Sequence, residues 1–229
     1  MGRSEEVATY SIGVVGGTGP QGKGLAYRFA GDGHEVVLGS RSAERAEAAA
    51  AEVAGRLPRA RVRGATNHDA VAAADVAVLA VPYDGHDELV RDLASVLAGR
   101  IVVSCVNPIG FDAQGPFGLP DVAGGSAAEQ AAALVPGARV VGAFHHVSAV
   151  TLWRHEGYLH EEDVLVCGDD RESKEVVMEL ASCVTGRAGV DAGRLRMARQ
   201  LEPLTAVLIS VNKRYRTRSG IAVSGIPGR

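Results

Sequence analysis

Short runs of apolar, β-branched residues alternate along the chain with longer amphipathic or alanine-rich stretches. The apolar runs predict strands over 11–16, 34–39, 61–65, 76–81, 101–106 and 140–147. The stretches between them predict helices over 22–31, 43–56, 67–74, 85–98 and 126–134. Short, fully apolar strands that alternate with helices are typical of a parallel sheet covered on both faces. The pattern therefore predicts an α/β fold with a doubly wound parallel sheet of the Rossmann type.

The last third of the chain continues the alternation on a smaller scale. A strand is predicted over 164–167, a helix over 170–184 and a long helix over 194–215. Pro203 lies inside this last helix and predicts a kink or a break there. Residues 110–125 are rich in Gly and Pro and are predicted as a long loop, which in a compact domain is usually functional or disordered.

Composition and charge narrow the class of protein. The 229 residues are 46% hydrophobic and carry 24 basic against 27 acidic side chains, a balance that favours neither nucleic acid nor another strongly charged partner. The longest apolar run, residues 76–81, is far shorter than the roughly 18 residues of a membrane span, and no secretory signal precedes it. Three scattered cysteines form no disulfide framework. We expect a cytoplasmic protein without a membrane or nucleic-acid partner.

A glycine-rich segment directly after the first predicted strand carries the clearest chemistry. It fits G-x-G-x-x-G with the residues Gly17, Thr18, Gly19, Pro20, Gln21 and Gly22. In such a loop the glycines allow a tight turn, close approach of a pyrophosphate and close helix–strand packing, and the helix N-terminus attracts the phosphates. The alternative is a structural turn in an unrelated α/β protein. The position after the first strand favours dinucleotide binding.

The end of the second predicted strand selects the dinucleotide. An NAD site has a carboxylate there for the ribose 2′-OH, whereas this chain has Ser40 and Arg41, with Arg45 one helical turn later. A hydroxyl and two guanidinium groups suit a 2′-phosphate. The alternative is that Ser40 caps a helix and the arginines are merely solvated. We predict NADP(H).

Several motifs together resemble those of one family. They are Gly16 to Ala26, Gly39 to Arg41, Val81 to His86, Cys105 to Pro108, Ala143 to Ala149, Val166 to Asp170 and Asp191 to Arg194. In this order, from about Ile12 to Val223, they resemble the NADPH-dependent coenzyme F420 reductases. The resemblance implies hydride transfer between NADP(H) and the 8-hydroxy-5-deazaflavin coenzyme F420, without a metal. It also implies a homodimer, with a Rossmann domain over residues 1–150 and a small C-terminal α/β domain over 151–229 that closes the F420 site.

The resemblance also implies individual contacts. Thr18, Ser40, Arg41 and Arg45 match positions that contact NADP, and a second set matches the contact between nicotinamide and deazaflavin: His145, Val147, Arg199 and Thr205. Further cofactor contacts are predicted within the shared motifs at Val81, Pro82, Val106, Asn107, Pro108 and Ala149. Pro203 stands where some archaeal members of that family carry a small polar residue.

His145 is the predicted catalytic residue, because His145 and His146 end a strand where open α/β sheets bind ligands; which of the two rings faces the site stays open at this point. His145 would orient the deazaflavin or the nicotinamide carboxamide; the alternative is an ordinary histidine at a strand end. Asn107 and Pro108 would line the same crevice or form a plain turn. The spacing of His155 and His160 does not fit a zinc site, and no metal is predicted.

Two further interpretations of function stay open at this point. One is a small NADPH-dependent dehydrogenase or imine reductase that acts on a metabolite, although such enzymes usually add a larger helical domain. The other is a non-catalytic module that senses NADP. The basic run over 213–218 either attracts the acidic tail of F420 or complements the dipole of its helix.

Overall fold

The computed structural model describes residues 8–226. Ten strands lie in this part of the chain: β1 Ser11–Val15, β2 Glu35–Ser40, β3 Arg61–Thr66, β4 Val76–Leu79, β5 Ile101–Ser104, β6 Ile109–Asp112, β7 Gly115–Gly118, β8 Arg139–Gly142, β9 Leu165–Gly168 and β10 Val190–Gly193. The helices of the same part are α1 Pro20–Gly31, α2 Ala43–Arg56, α3 Asn67–Ala72, α4 His86–Asp92, α5 Ala94–Leu97, α6 Ala127–Leu134, α7 Ala149–Arg154, α8 Arg171–Thr185 and α9 Ala198–Tyr215.

Eight strands form one sheet in the order β10-β9-β8-β5-β4-β1-β2-β3. All neighbours are parallel except β8 and β9, which run antiparallel. The chain winds outward from β1 in both directions, because β2 pairs with one edge of β1 and β4 with the other. Ligands of open α/β sheets bind outside the carboxyl ends of the strands at such a switch point. The predicted Rossmann-type fold is confirmed.

Helices cover both faces of the sheet, and alternate residues of each strand face opposite sides. Ile12 and Val14 of β1 join a core cluster with side chains of α1, α2, α7 and α8. Val15 joins a second cluster with α3, α4, α6 and α9. Most residues of both clusters are fully buried. The two cores hold β1 and its following turn rigidly, which fixes the position of the glycine-rich loop.

Side-chain caps explain where several helices begin. Ser42, Thr66, Ser126, Ser148 and Asp170 each accept a hydrogen bond from a backbone N–H of the first turn that follows. Such caps satisfy donors that have no partner within the helix. No helix in the described residues is long and apolar enough to cross a bilayer. Within residues 8–226, no three or more His, Cys, Asp or Glu side chains are grouped to hold a metal ion.

The structure corrects several predicted elements. The predicted strand 140–147 ends at Gly142, so His145 lies in a turn and not at a strand end. The predicted loop 110–125 contains most of an antiparallel hairpin formed by β6 and β7. The predicted helix 85–98 is divided into α4 and α5 at Leu93. β8 ends before Phe144, whose φ of +62° departs from extended backbone, and Leu93 is a turn residue between α4 and α5.

The C-terminal part extends the sheet of the N-terminal part. β9 pairs with β8, and β10, which the sequence analysis did not predict, pairs with β9. The predicted division at residue 150 therefore passes through one continuous sheet, and it stays a prediction. α9 follows a short 3₁₀ turn over Leu195–Met197 and continues through Pro203 without a break. Pro203 removes only one backbone donor near the helix start, which the helix tolerates.

Candidate functional site

The glycine-rich loop leaves β1 and enters α1 within four residues. Gly16 has a φ of +76°, a conformation that glycine adopts without strain. α1 begins at Pro20, with Gly19 as its N-cap and no side chain over the helix end. Among the described residues, no acceptor binds the backbone N–H groups of Gln21 and Gly22. Two free N–H donors and the positive end of the helix dipole thus indicate a site for an anion.

The three glycines of the motif have different surroundings. A Cβ at Gly17 would lie 2.9 Å from the Cβ of Leu38, and one at Gly22 would lie 2.7 Å from the carbonyl oxygen of Gly16. These two glycines are required by the packing of the loop itself. A Cβ at Gly19 would meet only the Gly16 oxygen, at 3.3 Å. The space beside Gly19 is therefore open toward a ligand.

A cavity of about 450 Å³ opens beside this loop. It extends over the carboxyl ends of β1, β2 and β4, where the switch point predicts a ligand. Its lining includes Gly16, Thr18, Gly19, Ser40, Arg41, Arg45, Asn67, Val81, Pro82, Asp84, Gly85, Glu88, Leu89 and Asp92. We call it the first cavity.

Positive charge at the end of β2 is available for a ligand. Arg41 and Arg45 are exposed, and neither forms an ion pair or a side-chain hydrogen bond with another described residue. Ser40 is buried, and its hydroxyl accepts a bond from the Ser42 backbone at 3.4 Å. No carboxylate follows β2 at the position that would bind a ribose 2′-OH. Carboxylates do line the opposite side of the first cavity, at Asp84, Glu88 and Asp92.

A second cavity of about 920 Å³ adjoins the first. The two cavities share a border at the β4–α4 loop and the start of α4, since Pro82, Asp84, Gly85 and Glu88 line both. The far wall comes from distant segments: Asn107 after β5, the β6–β7 hairpin with the following Leu119, and α9. Its residues there are Asn107, Ile109, Phe111, Leu119, Thr205 and Ile209. This wall is mostly apolar and suits a planar ring system.

His145 lies in the interior, and its ring lines neither cavity. The side chain is 2% exposed, and burial, followed by the nearby His146, lowers the pKa of His145 to about 3. The ring is therefore neutral at physiological pH. Its Nε2 has no hydrogen-bond partner among residues 8–226 and lies 3.1 Å from where a Cβ of Gly142 would be. The ring thus occupies space that the missing side chain of Gly142 leaves free.

Asn107 holds both the ring and the backbone of His145. Its Nδ2 donates to the His145 carbonyl oxygen at 2.9 Å, and its Oδ1 lies 3.2 Å from Nδ1 of the ring. Because Oδ1 can only accept, Nδ1 carries the proton. Thr205 Oγ1 donates to the same carbonyl oxygen at 2.7 Å. Two side chains that line the second cavity are therefore anchored on one backbone atom.

The residue before His145 has an uncommon backbone conformation. Phe144 has a φ of +62°, which costs a bulky residue about 1–3 kcal/mol. Its side chain is fully buried and meets Phe29 edge to face, with ring centroids 5.8 Å apart. Gln21 Nε2 donates to the Phe144 carbonyl oxygen at 3.2 Å. This side chain of the glycine-rich loop is thus directed at the turn and not at the first cavity.

The predicted contacts fall into three groups. The first cavity collects Thr18, Gly19, Ser40, Arg41, Arg45, Val81 and Pro82, and the second collects Pro82, Asn107 and Thr205. The others line neither cavity: Gly17, Pro20, Gln21 and Gly22 in the loop, and Val106, Pro108, His145, Val147, Ala149 and Arg199 elsewhere. For all three groups, the predicted contacts with cofactors stay predictions.

Arg199 illustrates the third group. Its guanidinium forms two hydrogen bonds with the Glu129 carboxylate, at 2.8 and 2.9 Å, and a third with the Gly124 carbonyl oxygen at 3.2 Å. These bonds tie the start of α9 to the start of α6. In this arrangement the guanidinium is engaged with protein groups.

Sequence reasoning missed part of the lining. Asn67 is buried at the end of β3, and its Oδ1 accepts from the Gly16 N–H at 3.3 Å. The segment from Tyr83 to Glu88 contributes to both cavities, and its place after β4 could have indicated this. The β6–β7 hairpin could have been found from its two-residue turn at Ala113 and Gln114, which Gly115 follows directly. Ile209 lies one helical turn beyond Thr205, and an aliphatic residue in a helix gives no indication in the sequence that it lines a cavity.

Known proteins share these features. Residues 11–108 match the model of a family described as NADP oxidoreductase, coenzyme F420-dependent. The F420-dependent NADP reductase of Methanothermobacter thermautotrophicus is 39% identical over 97% of this chain and 98% of its own. A crystal structure assigned to an F420-dependent NADP-reductase from Arthrobacter sp. FB24 has a TM-score of 0.76 and 30% identity, covering 93% of this chain and all of that one.

An imine reductase from Bacillus cereus shares the fold alone. Its TM-score is 0.56 at 17% identity, with 90% of this chain and 60% of that chain covered. The imine reductase is thus considerably longer than the chain described here.

Proposed function

This chain belongs to the F420-dependent NADP reductases, and we propose that it transfers a hydride between NADP(H) in the first cavity and coenzyme F420 in the second. The adjacency of the two cavities carries the proposal: they share the loop from Pro82 to Glu88, so two ligands can meet there. The first cavity presents hydrogen-bond donors and positive charges that can bind phosphate groups. The second presents a mostly apolar wall. The alternatives of a metabolite dehydrogenase and of an NADP sensor are not favoured.

The first cavity has the groups that NADP(H) requires. The N–H groups of Gln21 and Gly22 would bind the pyrophosphate at the start of α1. Arg41 and Arg45, with Ser40, would bind the 2′-phosphate, since guanidinium groups form strong charge-assisted bonds with phosphate. Val81 and Pro82 would form an apolar side of the same site. The open space at Gly19 would admit the pyrophosphate.

The second cavity has the groups that a deazaflavin requires. Ile109, Phe111 and Leu119 offer apolar surface, while Asn107 and Thr205 place polar atoms at one edge. An arrangement of apolar walls with few fixed polar groups is typical of sites for ring-shaped ligands. The basic residues over 213–218 lie at and beyond the C-terminal end of α9, and we propose that they attract the acidic tail of F420.

The chemistry of the step belongs to the bound cofactors, which exchange a hydride directly between two carbon atoms. The protein therefore needs no nucleophile. Its residues fix the two sites relative to each other and exclude water, which contributes to rate through orientation. His145 is neutral and buried, so we propose that it acts through Asn107, which its ring nitrogen and carbonyl oxygen both engage.

A direct assay tests the proposal. Purified protein is mixed with NADPH and oxidised F420, and the deazaflavin absorbance is followed. We expect bleaching that depends on both cofactors and on the protein. A metabolite dehydrogenase would leave F420 unchanged, and a sensor would bind NADPH by calorimetry without any turnover. Either result would exclude the proposed activity.

The state and location of the protein are also proposed. We propose a homodimer in the cytoplasm that binds no nucleic acid, supported by the family resemblance and the near balance of basic and acidic residues. Phe111 is 69% exposed and Val207 56% exposed, and both are apolar surface that a second subunit could cover. Light scattering on the purified protein measures the mass; a monomer would contradict the homodimer.

A further inference from the structure

The turn after β8 is held by side chains from three separate elements. Gln21 of α1 donates to the Phe144 carbonyl oxygen at 3.2 Å. Asn107, which follows β5, and Thr205 of α9 donate to the His145 carbonyl oxygen at 2.9 and 2.7 Å. Two consecutive peptide carbonyls thus receive three side-chain bonds. This concentration of bonds indicates that the direction of both carbonyls matters.

The backbone of the turn requires such support. Phe144 has a φ of +62°, a region that bulky residues seldom occupy. Its ring is fixed by burial against Phe29. The bond from Gln21 fixes the peptide that joins Phe144 to His145. The His145 carbonyl, one residue later, is the acceptor on which Asn107 and Thr205 are both anchored.

Gln21 has an unexpected target for a residue of the glycine-rich loop. Its position between Pro20 and Gly22 predicts a contact with the pyrophosphate, yet its side-chain amide is bonded to the turn. Its backbone N–H has no acceptor among the described residues. The side chain of Gln21 therefore serves the turn, while its backbone N–H stays available at the start of α1.

We propose that Gln21 is a positioning residue for the F420 side of the reaction. Through the Phe144 carbonyl it holds the turn on which Asn107 and Thr205 are anchored, and so it sets the polar edge of the second cavity. The inference rests on the proposed function, which places F420 there. Loss of the Gln21 side-chain donor should therefore weaken the binding of F420 and leave the binding of NADPH unchanged.

Gln21→Met tests this, because methionine has a similar length and no donor. The dissociation constants of NADPH and of F420 are measured separately, each without the other cofactor, and hydride transfer is measured in a single turnover. Because the substitution removes one neutral hydrogen bond, we expect the dissociation constant of F420 to rise about three- to tenfold. We also expect a slower hydride step. The NADPH constant should stay within about twofold, and the thermal midpoint is recorded for each variant.

Thr18→Val is the matched control, because Thr18 lines the first cavity. This variant should weaken the binding of NADPH and leave the binding of F420 unchanged. For Gln21→Met we expect the opposite pattern. Gln21→Glu is a second variant with nearly the shape of glutamine. Its ionised carboxylate faces the Phe144 carbonyl oxygen and cannot donate, so F420 binding should fall further than in Gln21→Met. A purely steric role would make Gln21→Glu the milder change.

The outcomes separate this inference from the proposed function. If Gln21→Met weakens only the binding of NADPH, or changes neither dissociation constant, the positioning role is wrong while the proposed function stands. If Gln21→Glu binds F420 better than Gln21→Met, the hydrogen bond is not the cause and the inference is overturned. If the unmodified protein does not bind F420 at all, the proposed function itself fails.

Discussion

The first cavity and the second cavity are neighbours, but their polar groups are engaged differently. At the first, the guanidinium groups of Arg41 and Arg45 have no partner among residues 8–226, and at the nearby start of α1 the N–H groups of Gln21 and Gly22 bind no acceptor in the same part of the chain. At the second, Asn107 and Thr205 are already bonded to the His145 carbonyl. Binding in the first cavity should therefore depend on charge and free donors, and binding in the second on a wall fixed before the ligand arrives.

The largest effect that separates the cavities is expected from Gly19→Val. The space beside Gly19 is where the pyrophosphate would approach, so a branched side chain should block it. We expect the NADPH dissociation constant to rise by about 100-fold or more by calorimetry. F420 binding and the thermal midpoint should stay near those of the unmodified protein. Unchanged NADPH affinity would show that the loop does not hold the phosphates.

Charge at the first cavity predicts a strong preference for NADPH over NADH. Each charge-assisted bond contributes about 1.5–3 kcal/mol, so Arg41 and Arg45 together allow a preference of about two orders of magnitude. The ratio of kcat/KM for the two nucleotides should fall sharply in the Arg41→Gln, Arg45→Gln double variant. Arg59→Gln is the control, since Arg59 is also exposed but lies outside the first cavity. Equal kcat/KM for both nucleotides in the unmodified protein would contradict the assignment.

A moderate effect on the second cavity is expected from His145→Ala. The substitution removes the ring that contacts Asn107, and no proton relay is lost, so hydride transfer should slow about 10- to 100-fold. Single-turnover kinetics measures this, with the affinity of each cofactor determined separately. NADPH affinity should be preserved. An unchanged hydride rate and unchanged F420 affinity would assign His145 a purely structural role and leave Asn107 as the next candidate.

The smallest effect concerns stability and not activity. Burial lowers the pKa of His145 to about 3, whereas an unfolded chain has a value near 6.5. Between these values the unfolded state binds more protons, so folding stability is complete above about pH 6.5 and is lost as pH falls. From pH 7 to pH 5 the loss from His145 should be on the order of 2 kcal/mol.

Denaturant unfolding at both pH values measures this loss. His145→Asn retains a donor toward Asn107 but does not titrate, so its stability should depend less on pH than that of the unmodified protein. His34 and His146, whose pKa values burial also lowers, remain in both proteins and give a common background. Identical pH dependence in the two proteins would mean that His145 is not kept neutral by the fold.

Much of the fold could be predicted because its signals are local. The apolar run of β1 and the glycines after it indicate a strand, a tight turn and a helix start from a few consecutive residues. The errors arose where tertiary contacts decide. β8 ends at Gly142, two residues before Phe144, whose positive φ does not continue an extended strand, and nothing in the hydrophobic pattern of 140–147 records that conformation. The β6–β7 hairpin is stabilised by packing on α9, with Gly118 against Pro203.

The candidate site divides in the same way. Arg41 and Arg45 could be predicted because β2, which they follow, pairs with β1, which the glycine-rich loop follows, and only α1 and a short turn connect the two strands. The lining by Phe111, Leu119 and Ile209 could not, because these residues are brought together only when the hairpin docks on α9. The partner of the Gln21 side chain, 123 residues away, was equally out of reach.

The sequence by itself determined the Rossmann-type sheet, the glycine-rich loop and the choice of NADP(H), because each depends on neighbouring residues whose geometry the backbone fixes. The tertiary structure alone decided that Gln21 faces the turn, that the ring of His145 is buried and neutral, and that Asn107 and Thr205 share one carbonyl. These are contacts between distant segments. Their free energy depends on burial and on precise distance, and neither quantity exists until the chain has folded.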